Sequence, residues 1–165
     1  MKLAAAGHGD TSGLTGFPED WSHAAADPLF RTAQDTAADR LTFTPALAAA
    51  HRVGLRTALG VAILFDTAVQ HGTADDPDGL PALLRRATEA ADGDPATGIR
   101  EKAWLLAFLD VRADDLRDPH NADSQQVWAE SVDRVDALRQ LVTTDQHRLT
   151  PPVTLNVSGG EYVLH

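Results

Sequence analysis

The stretch TPALAAAHRVGLRTALGVAILFDTAVQHG, residues 44–72, decides how the chain is read. Thr44 can accept hydrogen bonds from the free amides of a helix start. Pro45 suits the first helical position, where its missing N–H would be unpaired anyway. From there Leu47, Ala50, Leu55, Ala58, Leu59, Ala62, Ile63 and Val69 recur mostly at three- and four-residue steps, the period of an α-helix. His71-Gly72, a basic residue followed by glycine, is a common helix ending. The spacing predicts one helix over about 44–70. Its near-continuous apolar run over 58–69 predicts a central position in the fold.

Further helices flank this one. Phe30, Ala33 and Ala37 give one apolar face to a helix starting near Asp20 or Asp27 and running to about Arg40. Asp75–Gly79 carries Asp-Pro and Asp-Gly turn signals, and Leu80–Ala91 reads as a shorter helix ended by Asp92-Gly93-Asp94-Pro95. A fourth helix is expected over about Ala96–Arg117, with Ala103, Leu105, Leu106, Leu109 and Leu116 inward. A fifth is expected over about Ser124–Val142, with Val127, Trp128, Val132, Val135, Leu138 and Leu141 inward. After Pro151-Pro152, Val153–Leu164 alternates and reads as an extended arm or short hairpin. The class is mainly α in a single domain: an irregular lead-in over 1–19, a helical core over 20–143 and an extended tail over 144–165.

Composition narrows the function. The 165 residues carry a net charge of −10, which argues against a nucleic-acid partner and suits either plain solubility or a polycationic ligand. There is no cysteine, so disulfides and thiolate metal sites are excluded. The seven histidines are scattered, no glycine-rich phosphate loop follows a strand, and no serine has a nucleophile-elbow context, so neither a metal nor a cofactor is expected. No apolar run approaches the ~20 residues of a membrane span. The apolar stretch after Lys2 is too short for the core of an export signal.

Charge on apolar faces is the strongest local signal. Asp66 falls four residues after Ala62 and three after Ile63, Arg112 three after Leu109, and Arg134 seven after Val127. An unpaired carboxylate is costly to bury, and arginine is its natural partner because a guanidinium stays charged and binds carboxylates through two donors. The pattern predicts an ion-pair network. By itself it leaves open whether that network only fixes helix register or also positions a catalytic group.

These residues also carry a resemblance. Gly13-Leu14, Asp20-Trp21, Ala24-Ala25, Asp27, Phe30, Ala33-Gln34 and Asp39-Arg40 follow the order seen in family 46 glycoside hydrolases, the chitosanases. So do Phe43, Pro45-Ala46, Gly54-Leu55-Arg56, Ala58-Leu59-Gly60, Asp66, Val69 and His71-Gly72. Glu101, Phe108-Leu109-Asp110, Arg112, Arg134-Val135-Asp136, Leu149, Pro151-Pro152 and Tyr162-Val163 continue the match. The resemblance implies a lysozyme-like α-rich fold, extracellular action, and inverting hydrolysis of β-1,4 glucosamine linkages in chitosan by a carboxylic acid and a carboxylate. It further implies that Asp66, Arg112 and Arg134 form a supporting charge network that reaches the catalytic acid. It makes His120, Asp123 and Glu130 candidate sugar contacts. Trp21, Trp104 and Trp128 are expected to pack rather than to stack on sugar.

In the family the acid and base precede the part that Lys2-Leu3 onward resembles, so they are expected upstream of Met1. Asp10, Glu19, Asp20 and Asp27 offer no replacement pair. The fold is accordingly expected to be incomplete and the chain inactive alone, with chitosan or glucosamine oligosaccharide as its partner. The alternatives are a non-catalytic oligosaccharide-binding module and an unrelated helical interaction domain.

Overall fold

A computed structural model describes residues 11–157 and 159–165, so the first ten residues of the expected lead-in lie outside the described residues. The chain divides after Asp39 into two units. In the first, α1 (Phe17–Ala24) begins earlier than the expected Asp20, because Pro18 serves its opening turn. Asp27 then caps α2 (Pro28–Ala38) by accepting from the Leu29 amide at 2.8 Å. Trp21 lies half-exposed between the rings of Phe17 and Phe30, at centroid separations of 5.5 and 5.2 Å.

The second unit, Arg40–His165, holds the core. The single long helix expected over 44–70 is two helices, α3 (Thr44–Arg52) and α4 (Ala58–His71). Thr44 is not a cap; a π-helical turn over Asp39–Phe43 runs directly into α3, so no new start is needed. The break comes at Gly54, whose φ of +79° favours glycine. A Cβ there would sit 2.5 Å from the Ala96 nitrogen, because the chain at 95–97 docks on this corner. The Ala96 amide donates to the Val53 carbonyl at 3.1 Å. Thr57 restarts the helix by accepting from the Gly60 amide at 3.0 Å.

Breaks of the same kind shorten the later helices. After α5 (Leu80–Ala90), Asp94 and Thr97 form a reciprocal cap around a short 3-10 turn, Gly98 adopts φ +107°, and α6 runs over Glu101–Arg117. The expected helix over 124–142 divides into α7 (Gln125–Ala129) and α8 (Val132–Thr143) at Glu130-Ser131. The tail is a hairpin, β1 (Val153–Val157) antiparallel to β2 (Gly160–Leu164), with Val153 opposite Leu164. β1 rests on α8 through the buried Val153.

Helices α4 and α6 share α5 and α8 as neighbours. Fully buried Trp104, Leu105, Phe108, Leu109 and Leu116 of α6 pack with Leu59, Ile63 and Leu64 of α4 in one core. Trp104 stacks on Phe108 at 5.4 Å and donates to Thr88 at 3.3 Å, so it packs as the sequence suggests. At the head of α4 the Glu101 carboxylate accepts from the Arg56 amide (3.0 Å), the Thr57 amide (3.1 Å) and the Thr57 hydroxyl. α6 thereby satisfies the amides just ahead of the Thr57 cap and anchors the start of α4.

Gly54→Ala should cost about 2 kcal/mol or more in denaturant unfolding, since it adds left-handed strain to a backbone collision. A loss under about 0.5 kcal/mol, the scale of a neutral surface change, would mean that Gly54 does not set the corner.

Candidate functional site

Asp66 stands two turns into α4 and is reached from two helices. Arg112 of α6 places Nη2 2.7 Å from Asp66 Oδ2, and Arg134 of α8 donates from Nη2 to Asp66 Oδ1. The three residues that the sequence singled out for their charge meet at one point. Arg134 also donates from Nη1 to Gln70 Oε1 at 3.1 Å. Gln70 was not foreseen, although it lies one helical turn beyond Asp66 on the same face, so the spacing could have marked it.

Burial differs sharply within the trio. The Arg112 side chain is 0% exposed, that of Asp66 25% and that of Arg134 37%. Burial pushes the Arg112 guanidinium below the ordinary arginine value, and the Asp66 carboxylate opposes that push. The Nε and Nη1 atoms of Arg112 have no hydrogen-bond partner among the described residues, so Asp66 carries nearly all of its compensation. Two guanidinium groups against one carboxylate leave the cluster with an excess positive charge, on the side where Asp66 and Arg134 meet solvent.

That side of α4 is open. Ala58 and Val69 are exposed, and Val61, Ala62, Phe65 and Asp66 are half-buried, forming a stripe at helical spacing. The apolar run therefore does not make α4 uniformly buried. Phe43 covers part of the stripe through an edge-on contact with Phe65 at 5.6 Å.

The three candidate sugar contacts are exposed and lie on the connection from α6 to α8. His120 is fixed through its backbone, its amide donating to Asp78 Oδ1 at 2.7 Å, and it borders a cavity of about 670 Å3 with Arg85, Arg86, Glu89 and Asp118. Asp123 belongs to a 3-10 turn capped by Asn121, and Glu130 follows α7. A larger cavity of about 1020 Å3, between Arg52, Asp75, Arg85 and Asp92, holds none of the candidate residues. No group of three metal-ligating side chains occurs among the described residues.

Comparison with known proteins adds the family. The glycosyl hydrolase family 46 model matches residues 2–153. The chain belongs to this family. It is 45% identical to a chitosanase of Bacillus subtilis (strain 168) over 161 residues, which are 98% of this chain and 57% of that protein. It is 35% identical to a chitosanase of Streptomyces sp. (strain N174), covering 96% of this chain and 55% of that one. The chain thus spans little more than half the length of these curated relatives. The crystal structure of native chitosanase from Bacillus subtilis MY002 superposes with a TM-score of 0.93 at 43% identity, covering 99% of this chain and 68% of that one. The GH46 chitosanase of Gynuella sunshinyii in complex with chitotetraose gives 0.92 at 39%, with the same coverage. The fold is that of the family 46 chitosanases: mainly α, lysozyme-like, with one small hairpin.

Asp66→Ala should destabilise the protein by about 3 kcal/mol, because it strands a fully buried guanidinium. Arg134→Ala should cost about 1 kcal/mol at most, since that pairing is partly in solvent. Equal losses from the two variants in denaturant unfolding would contradict this division.

Proposed function

We propose that this chain supplies the Asp66–Arg112–Arg134 scaffold and part of the sugar-binding surface of an inverting chitosanase, which hydrolyses β-1,4 glucosamine linkages. The carrying observation is the cluster itself: a carboxylate held by one fully buried and one half-exposed arginine, with positive charge in excess, in a chain of family 46. A cation of that kind attracts a further carboxylate, and a network ending on a catalytic acid would fix its orientation and proton affinity. The general acid and base, in this reading, lie on the portion of the family enzyme that the matched relatives possess beyond the aligned length.

His120, Asp123 and Glu130 are the proposed contacts to the oligosaccharide. Exposed carboxylates suit a polymer of protonated amines, and the net charge of −10 would favour its approach. The same reading makes the protein extracellular.

Isothermal titration of the 165-residue chain with glucosamine oligomers, beside a reducing-end assay, tests this. Binding that weakens with salt and produces no new reducing ends is expected. Hydrolysis would place the acid and base within these residues, and absence of binding would remove the sugar contacts. The non-catalytic binding module remains distinguishable: appending the family's preceding region should restore cleavage in a split enzyme and leave a pure binding module inert.

A further inference from the structure

Three further polar side chains, outside the Asp66 cluster, are nearly inaccessible: His71, Asp78 and Asp115, at 6%, 7% and 3% exposure. His71 ends α4, Asp78 lies in the loop after it, and Asp115 sits near the end of α6. His71 Nδ1 lies 3.1 Å from the Asp78 carbonyl oxygen and 3.4 Å from Asp115 Oδ2. A carbonyl and a carboxylate both accept, so Nδ1 must carry a hydrogen. Arg86 holds the other Asp115 oxygen and also reaches the Pro77 carbonyl at 3.4 Å.

This group grips the α6–α8 connection at both ends. At the start, the Asp78 carboxylate accepts from the amides of His120 and Asn121 at 2.7 and 2.8 Å. Near the finish, the ring of Trp128 packs edge-on against His71 at 4.8 Å. Between those points Asn121 caps its own turn, Gln125 reaches the Arg117 carbonyl at 3.4 Å, and α7 packs on α6. His71 Nε2 is buried without a hydrogen-bond partner among the described residues. A residue chosen only to fill space would be apolar and would avoid that cost. The imidazole is explained by what Nδ1 does.

We infer that His71 is a positioning residue. Through Asp78 and Trp128 it sets the placement of residues 120–130, and with them the side chains of His120, Asp123 and Glu130. Its consequence for sugar binding rests on the reading proposed above; its hold on the connection does not.

Isosteric substitution separates this from a packing role. Asparagine places an amide N–H near the position of Nδ1, whereas glutamine places its amide near Nε2 and abandons Nδ1. His71→Asn should keep amide hydrogen-exchange protection at residues 120–121 and oligomer affinity near wild type. His71→Gln should lose about tenfold in each, the scale of one hydrogen bond to a charged or carbonyl acceptor. Equal behaviour of the two variants at 120–121 would overturn the inference, whatever the unfolding midpoints. If His71→Gln does not fold, Trp128→Leu carries the test, and it should speed exchange across 128–131; unchanged exchange there would be equally fatal. A wild-type chain that binds no oligomer would sink the sugar contacts alone, since exchange still decides the positioning.

Discussion

A guanidinium with no access to water constrains everything around it. Arg112 is fully buried on α6, and the one carboxylate that compensates it comes from α4. Neither helix can rotate or slide by a residue without separating that pair, and a separated Arg112 would be an uncompensated charge in a low-dielectric interior. The pair need not add net stability over an apolar replacement. What it adds is a penalty for wrong registers. Arg134 extends the same constraint to α8, so three helices are indexed against one side chain, Asp66.

Other carboxylates repeat the device at the ends of elements, where backbone groups would otherwise go unpaired. Glu101 receives the amides that open α4, and Asp78 receives those that follow α6. Each joins residues distant in sequence and converts a helix terminus into a tertiary contact. Part of the acidic balance is therefore internal architecture, and net charge alone overstates how much of it faces a ligand.

The legibility of the sequence follows from the range of the interactions. Helical class was readable because periodicity is local, and the Asp66–Arg112–Arg134 meeting was readable because a charge on an apolar face demands a partner. The breaks at Gly54 and Glu130-Ser131 were not. Apolar spacing runs straight through Gly54, and only the approach of Ala96 shows why a left-handed residue is needed there. Asp115 was missed for a related reason: it follows Arg112 by three residues and reads as one more acid on a polar face, while its partners Arg86 and His71 lie on other elements. His120, Asp123 and Glu130 came from resemblance alone, since exposed polar residues in a connection carry no periodic signal.

The two buried polar clusters differ in where they end. One ends at half-exposed Asp66 and Arg134; the other reaches solvent through half-exposed Arg86 and ends elsewhere on backbone amides and an aromatic ring. Excess positive charge at an open end can influence the protonation of a group placed against it, whereas contacts to amides and a ring hold geometry. In the function proposed above, electrostatic tuning falls to the Asp66 cluster on α4, α6 and α8, and the placement of residues 120–130 to His71. Both begin on α4, within five residues of each other, so an error in the register of that one helix would disturb charge and placement together.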